Sequence, residues 1–495
     1  MNDKADIFGV SEQQMRALVA EGLKGGDWCD LYFEQTVYND LLLRDGVVAS
    51  GGFHLDYGCG IRVLDGEKTG YAYSESTDYA SLMDAVRAAR SISGRSGSFG
   101  IQAPAPVPAQ LYAMKKAWSE ADKRQLAAWL ERLEKSIRAC EPRTLKVIAL
   151  MSWSESDILM YNSLGQATTD SRPLGSVSVT VIFGDKGRTE QRAVSRSFRC
   201  GHEMISDGLI ETLSQEAVTG LDDSFAARRP KGGRMPVVMA AGASGILLHE
   251  AMGHAFEADF NRKGQSIFCD KMGKRICRPG INILDDGTIP GNRGSLRYDD
   301  EGVPGQKTYM VRDGVLSSYL HDRISASFYG VPPTGNGRRE SFRYNPIPRM
   351  RTTYMESGTD GTLDDLIASV RKGVYVDKFA NGEVRIGEGD FTFYVNRGYL
   401  IENGRLTMPV KDINIIGNGP QALADIEAVA GDLKIDDGTW TCGKEQSAAV
   451  SCGIPSVLIK NLTVGGERSH RPKEASPSRA LTSRVRQGRR KPVSH

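Results

Sequence analysis

Two imidazoles and a carboxylate fall within six residues in His249-Glu250-Ala251-Met252-Gly253-His254, and nowhere else in the chain do two of its seven histidines come so close with an acid between them. Neutral imidazoles bind divalent metals, and a carboxylate beside such an ion can take a proton from water, so these residue types together point to metal-assisted hydrolysis. In the familiar zinc-binding helix the two histidines are four apart, which brings both rings to one face. Here the spacing is five. On a regular α-helix that rotates the second ring by roughly 140° from the first, too far to share an ion. A turn of π-helix absorbs one extra residue and would restore the common face, and Gly253 is expected to tolerate the distorted backbone.

The approach to the motif sharpens the reading. Val237-Val238-Met239-Ala240-Ala241-Gly242-Ala243-Ser244-Gly245-Ile246-Leu247-Leu248 reads as a buried strand and turn feeding a buried helix. Polar side chains placed directly after so apolar a run need compensation, and a cation supplies it. A catalytic zinc takes three protein ligands and keeps one position open. His249 and His254 offer two. The third could come from Cys269, Cys277, His321, Cys442, Cys452, Glu257 or Asp259, and spacing does not choose among them. Cys442 is attractive because a thiolate suits zinc and Gly443 would let backbone approach an ion.

The elements that must position these groups follow from periodicity. Ser11 and Gln14 form a capping box ahead of Met15, Leu18, Val19 and Leu23 at helical spacing. Short strands follow at Leu31-Tyr32-Phe33, Leu41-Leu42-Leu43, Ile61-Arg62-Val63-Leu64 and Gly70-Tyr71-Ala72-Tyr73, then a helix over 79–92 and a Gly/Ser/Pro-rich linker over 93–109. The order then recurs: a long amphipathic helix through Leu126, Trp129, Leu130, Leu133 and Ile137, strands at Val147-Ile148-Ala149-Leu150, Asp157-Ile158-Leu159-Met160-Tyr161 and 176–182, and helical text from 202 to 221. This hints at an internal repeat. Beyond residue 231 the text is short strands and glycine turns, with helices only over 249–261 and 362–371. The expected fold is α+β. An N-terminal mixed domain with an antiparallel sheet spans 1–228, a strand-rich domain carrying the metal-binding helix spans 229–466, and a disordered basic tail covers 467–495 with nine Arg or Lys against two Glu.

Composition bounds the rest. The chain has 495 residues, a net charge of +2 and 25% charged residues, so no overall field invites nucleic acid. The first residues lack the apolar core of a signal peptide, and no apolar run approaches the ~20 residues of a membrane helix. Eight scattered cysteines show no disulfide framework. A cytoplasmic protein without membrane association is expected.

The stretch from Leu248 to Gly264, with Pro333-Thr334-Gly335-Asn336-Gly337-Arg338-Arg339-Glu340-Ser341, Pro348-Arg349-Met350, Tyr399-Leu400-Ile401-Glu402-Asn403-Gly404 and Leu462-Thr463-Val464-Gly465-Gly466, closely resembles the TldD branch of the TldD/PmbA metalloprotease family. Asp45-Gly46-Val47-Val48 and Gly66-Glu67-Lys68-Thr69-Gly70 extend the likeness to the N-terminal half. The segment around 447–452 and the basic tail depart from the family pattern. The resemblance implies zinc held by His249, His254 and the cysteine of Cys442-Gly443-Lys444, and a dimer, with itself or with a PmbA-like paralogue lacking the metal motif. The chemistry expected is hydrolysis of unfolded or short peptides, added to sheet edges by main-chain hydrogen bonds, with Glu250 as general base and then acid. Arg338, Arg339, Tyr344 and His321 could donate to an oxyanion, and none is assigned. Two rival readings stand beside this one: a non-catalytic regulatory or scaffold subunit whose structural zinc is closed by four protein ligands, and a zinc hydrolase of non-peptide amides.

Overall fold

A computed structural model of the chain describes residues 2–92, 97, 107–385 and 388–466. The expected linker lies largely outside them, and the basic tail wholly so.

The N-terminal half is one antiparallel sheet of six strands in the order β3-β2-β1-β4-β5-β6, with β1 Trp28–Arg44, β2 Val47–Asp65, β3 Lys68–Ser74, β4 Thr144–Asn162, β5 Ala167–Asp185 and β6 Arg188–Phe198. Helix α1 (Asn2–Phe8) is followed by α2 (Glu12–Gly22), α3 (Tyr79–Ala89), α4 (Lys123–Cys140) and α5 (Asp207–Val218). The capping box at Ser11 forms, Ser11 Oγ accepting from Gln14 N at 3.2 Å while Ser11 N donates to Gln14 Oε1 at 2.9 Å. Helix, three strands and helix thus occur twice, and the two units join where β1 pairs with β4, Asp30 opposite Asn162 through Arg44 opposite Ile148.

Alternation along β1 sorts its neighbours. Leu31 and Phe33 pack with α2 and α3 through Leu18, Val19, Leu82 and Val86. Leu41 and Leu43, on the same face, pack with α4 and α5 through Leu130, Leu133, Ile137 and Leu213. The opposite face meets the C-terminal half, where Tyr32, Ile158 and Met160 pack against Tyr298 and Phe342. This explains one departure from the sequence reading. Leu31–Phe33 and Leu41–Leu43 are ends of a single 17-residue strand, and 147–150 and 157–161 belong to one 19-residue strand. The sequence between them is polar, but Glu34 and Thr36 are buried in the domain contact, Glu34 Oε2 accepting from Phe342 N at 2.7 Å and Oε1 from Thr36 Oγ1 at 2.7 Å.

In the C-terminal half, β7 (Gly233–Met239) runs parallel to Lys372–Arg385 and antiparallel to Val457–Val464, and further pairings through Ile413–Asn418 and Asp390–Glu402 return to Lys372–Arg385. The strands therefore close on themselves. A smaller sheet pairs Thr352–Met355 in parallel with Ser451–Ile454. Helices appear beyond the two expected, at Arg323–Tyr329 and Gly419–Ala424, both too short to give a periodic signal. The segment after β7 sinks into this half through Leu247, Leu248, Ala251 and Met252, buried in one cluster with Val374, Val376, Phe391 and Phe393.

Candidate metal centre

The segment after β7 is a helix of changing pitch. One α turn at Ile246–Leu248 gives way to a π turn at His249–Gly253 and a tight turn at His254–Phe256. The N–H of His254 bonds the carbonyl of His249, five residues back, which is the extra residue the His-to-His spacing demanded. The ring centroids of His249 and His254 stand 5.1 Å apart, nearly perpendicular at 79°. Gly253 serves a different end from the one expected. Its φ of −58° and ψ of −48° are ordinary helix, but a Cβ there would lie 2.1 Å from Met350 Sδ. Close packing requires the glycine, not backbone freedom.

Cys442 arrives on a hairpin, Thr441–Lys444 paired antiparallel with Gln446–Ala449 across Glu445 in the left-handed region at φ 58°. Period-2 alternation turns Cys442 and Lys444 inward and Gly443 outward to open space, so Gly443 brings no backbone towards the histidines. Buried Arg349 clamps the hairpin, donating from its two terminal nitrogens to Gln446 O and Cys442 O, each at 2.7 Å. Cys442 Sγ lies 3.2 Å from His254 Nε2, and one donor atom each from His249, His254 and Cys442 fall within 4.8 Å of one another.

The chemistry of these donors fits a soft or borderline divalent cation. All three side chains are at most 4% exposed. Neither ring nitrogen of His249 has a hydrogen-bond partner, an expensive state for a buried imidazole unless an ion completes it. Burial pushes the Cys442 thiol up, but the adjacent imidazoles of His249 and His254 outweigh it and bring it down to about 4, giving the thiolate that metals require. Burial disfavours charge on His254 as well. The Glu257 carboxylate, 2.9 Å from Nδ1, more than offsets this and raises the imidazole to about 10. Glu257 in turn is lowered to about 2, with Lys444 and His254 overcoming its burial.

The other candidate ligands do not join this trio. Glu257 is bonded to His254, Asp259 to Lys444 at 2.8 Å, Cys269 donates to Ser266 O, and Cys277 lies in the apolar core. His321 meets the Tyr329 ring edge-on, its pKa pushed down to about 4 by burial. Arg338 and Arg339 are structural. Arg338 holds Met350 O and Ala449 O, and Arg339 lies over the Tyr32 ring while donating to Asp300 O. Glu250 lines a cavity of about 170 Å³ together with Ile246, His249, Trp440, Val450 and Cys452, so the acid and one histidine of the trio share it. Thr441 joins this cavity to a groove of about 570 Å³ over the sheet, walled by Tyr38, Phe53, Leu150, Trp153 and Arg293. That groove gave no sequence signal, since its walls come from strands far apart in the chain.

A metal-capable trio with an acid lining the adjacent cavity has the residue types that metal-assisted hydrolysis needs. The relatives agree. Models of the PmbA/TldA metallopeptidase domain 1, central domain and C-terminal domain match residues 29–93, 116–221 and 232–466. A Haemophilus influenzae protein named metalloprotease TldD homolog is 39% identical over 89% of this chain and 93% of its own length, and one from Buchnera aphidicola is 37% identical over 94% and 96%. A Saccharolobus solfataricus relative named zinc metalloprotease TldD homolog is 37% identical over 48% of this chain and 53% of its own. The chain belongs to the PmbA/TldD metallopeptidase family. Its fold matches TldE from Thermococcus kodakarensis with a TM-score of 0.71 at 18% identity, covering 92% of this chain and all of the other. A Thermotoga maritima structure matches at 0.75 and 21%, again over 92% and 100%. Among the described residues no helix is long and apolar enough to cross a membrane.

Proposed function

We propose that this chain is a zinc-dependent peptidase acting on unfolded or short peptides, with His249, His254 and Cys442 as the zinc ligands and Glu250 as the proton carrier. The convergence of the three donors within 4.8 Å, from one π turn and a distant hairpin, carries this reading. The zinc named in the Saccharolobus relative agrees with it. Bound there, zinc would polarise a scissile carbonyl and activate water. The rest falls to the protein. Glu250 faces the same cavity as His249, with no hydrogen bond or ion pair to another described residue, so its carboxylate is available to accept a proton and return it to a leaving amine. Arg349 keeps Cys442 in place, and the apolar packing of Leu247, Leu248 and Met252 fixes the histidines. Only three donors gather among the described residues, which favours an open site over a closed structural one.

The groove beyond Thr441 supports an extended substrate, since its walls offer aromatic and aliphatic faces along a run of strands but no enclosed slot for a compact molecule. A cytoplasmic dimer, with a second copy or a PmbA-like paralogue, belongs to the same proposal. Exposed Val47 and Leu55 on β2 suit such a contact. Glu250→Gln tests the core of the reading: zinc content should stay at the wild-type level while cleavage of denatured casein is lost. Full turnover by that variant, or wild-type protein without bound zinc, would refute it.

A further inference from the structure

Three buried charged residues beside the centre have no part in the chemistry above. His254 directs Nε2 to Cys442 and Nδ1 to Glu257 Oε2, at 3.2 and 2.9 Å. Glu257 is fully buried at the extended break, φ −67° and ψ 128°, between the turn His254–Phe256 and the helix Ala258–Arg262. Its Oε2 also lies 3.0 Å from Lys444 Nζ. Lys444, 7% exposed, is held in turn by Asp259 Oδ1 at 2.8 Å and Pro348 O at 3.0 Å. Alternation along the strand matters here. Cys442 and Lys444 share its inward face, so one strand delivers both the sulfur and the ammonium that balances the carboxylate on the imidazole.

We infer that Glu257 and Lys444 are positioning residues of the metal centre, Glu257 holding His254 with its proton on Nδ1 and Nε2 turned to the ion, and Lys444 holding Glu257. The inference deepens the proposed zinc reading and rests on it. Metal-bound histidines commonly give their second N–H to a carboxylate, which fixes ring and tautomer. A buried carboxylate needs a counter-charge while the imidazole is neutral, and Lys444 is the cation in direct contact with it, with Arg349 adding a weaker, more distant charge. Asp259 then keeps Lys444 from being an excess charge. The competing account is that this trio merely docks the hairpin onto the helix. Docking alone would alter stability without acting through His254.

The test uses the full-length protein and measures zinc affinity by competition with a chromophoric chelator, alongside the thermal midpoint of the metal-free form. Glu257→Gln keeps the shape and an accepting oxygen but removes the charge, and should weaken zinc binding by about 10- to 100-fold. Lys444→Met should weaken it too, through a displaced Glu257. In a His254→Ala background, where the ring to be held is gone, Glu257→Gln should change the residual affinity less than twofold. The cobalt-substituted protein should show shifted ligand-field bands in Glu257→Gln. Wild-type zinc affinity in folded Glu257→Gln, or an equal loss with and without His254, would overturn the inference while leaving the zinc reading intact. Wild-type protein that takes up no zinc would overturn both. Should Lys444→Met not fold, the Glu257→Gln series decides alone.

Discussion

Two clusters of buried charge sit in this molecule and serve opposite ends. Beside the candidate metal centre, Asp259, Lys444 and Glu257 form a short chain of contacts that ends on a single imidazole, that of His254. Between the two halves of the chain, Arg62 reaches Asp30 and Glu301 at 2.6 Å each, and Arg172 reaches Asp170 and Asp300 at 2.9 and 2.6 Å. Here the bonds cross the contact between the halves and touch none of the three donors. The difference shows that a buried ion pair can fix either one ring or a whole domain face, and that only its neighbours tell which.

Breaking each cluster separately should expose this. The largest effect is expected at the centre itself: Cys442→Ala should abolish stoichiometric zinc, read by plasma emission, and with it peptide cleavage, while far-ultraviolet circular dichroism stays native. Arg62→Met should come next. It takes the guanidinium from Asp30 and Glu301, leaving Asp30 with Trp28 Nε1 and Glu301 with the Arg323 N–H, and should cost about 3–5 kcal/mol in urea unfolding, yet the fraction still folded should bind zinc as the wild type does. A zinc defect in that folded fraction would erase the distinction between the clusters. Gly253→Ala, meeting Met350 Sδ, should cost about 1–3 kcal/mol by overpacking and also loosen zinc, because the π turn must shift.

A pH series sharpens the same contrast. Cys442 falls from an ordinary 9.0 to about 4, so its contribution grows as pH rises from 4 to 9 and is lost as pH falls through 4. His254 rises from 6.5 to about 10, so its contribution is full below 6.5 and is lost as pH rises through 10. The gap in thermal midpoint between metal-free wild type and Cys442→Ser should therefore be widest from about pH 6.5 to 9, narrowing on both sides. Smallest of all, Arg343→Ala removes a half-exposed guanidinium from Asp56 and Glu75 at the rim of the domain contact, and should change stability by about 1 kcal/mol or less. A larger loss there would mean that the rim, not Arg62, fastens the halves.

What the sequence disclosed about the site was its unusual step. The step of five from His249 to His254 pointed to a π turn, and the backbone has one. The sulfur was less accessible, because a contact spanning 188 residues leaves no local signal, and the choice of Cys442 among seven candidates came from family likeness. The reason for Gly253 was hidden for a related cause, since Met350 lies on another strand of text altogether. In the sheet, helical and strand periodicities marked where α2, α3, α4 and the strands stand. Their lengths were obscured wherever polar residues such as Glu34 and Thr36 were buried by the other half of the chain, since burial by a distant partner cannot be read from local pattern.

The late position of the hairpin has a consequence for biosynthesis. The histidines emerge from the ribosome nearly two hundred residues before their sulfur partner, and any chain cut short ahead of the hairpin lacks that partner altogether. On the proposed reading, a peptidase for unstructured polypeptide would lack its full ligand set until its own last strands are in place.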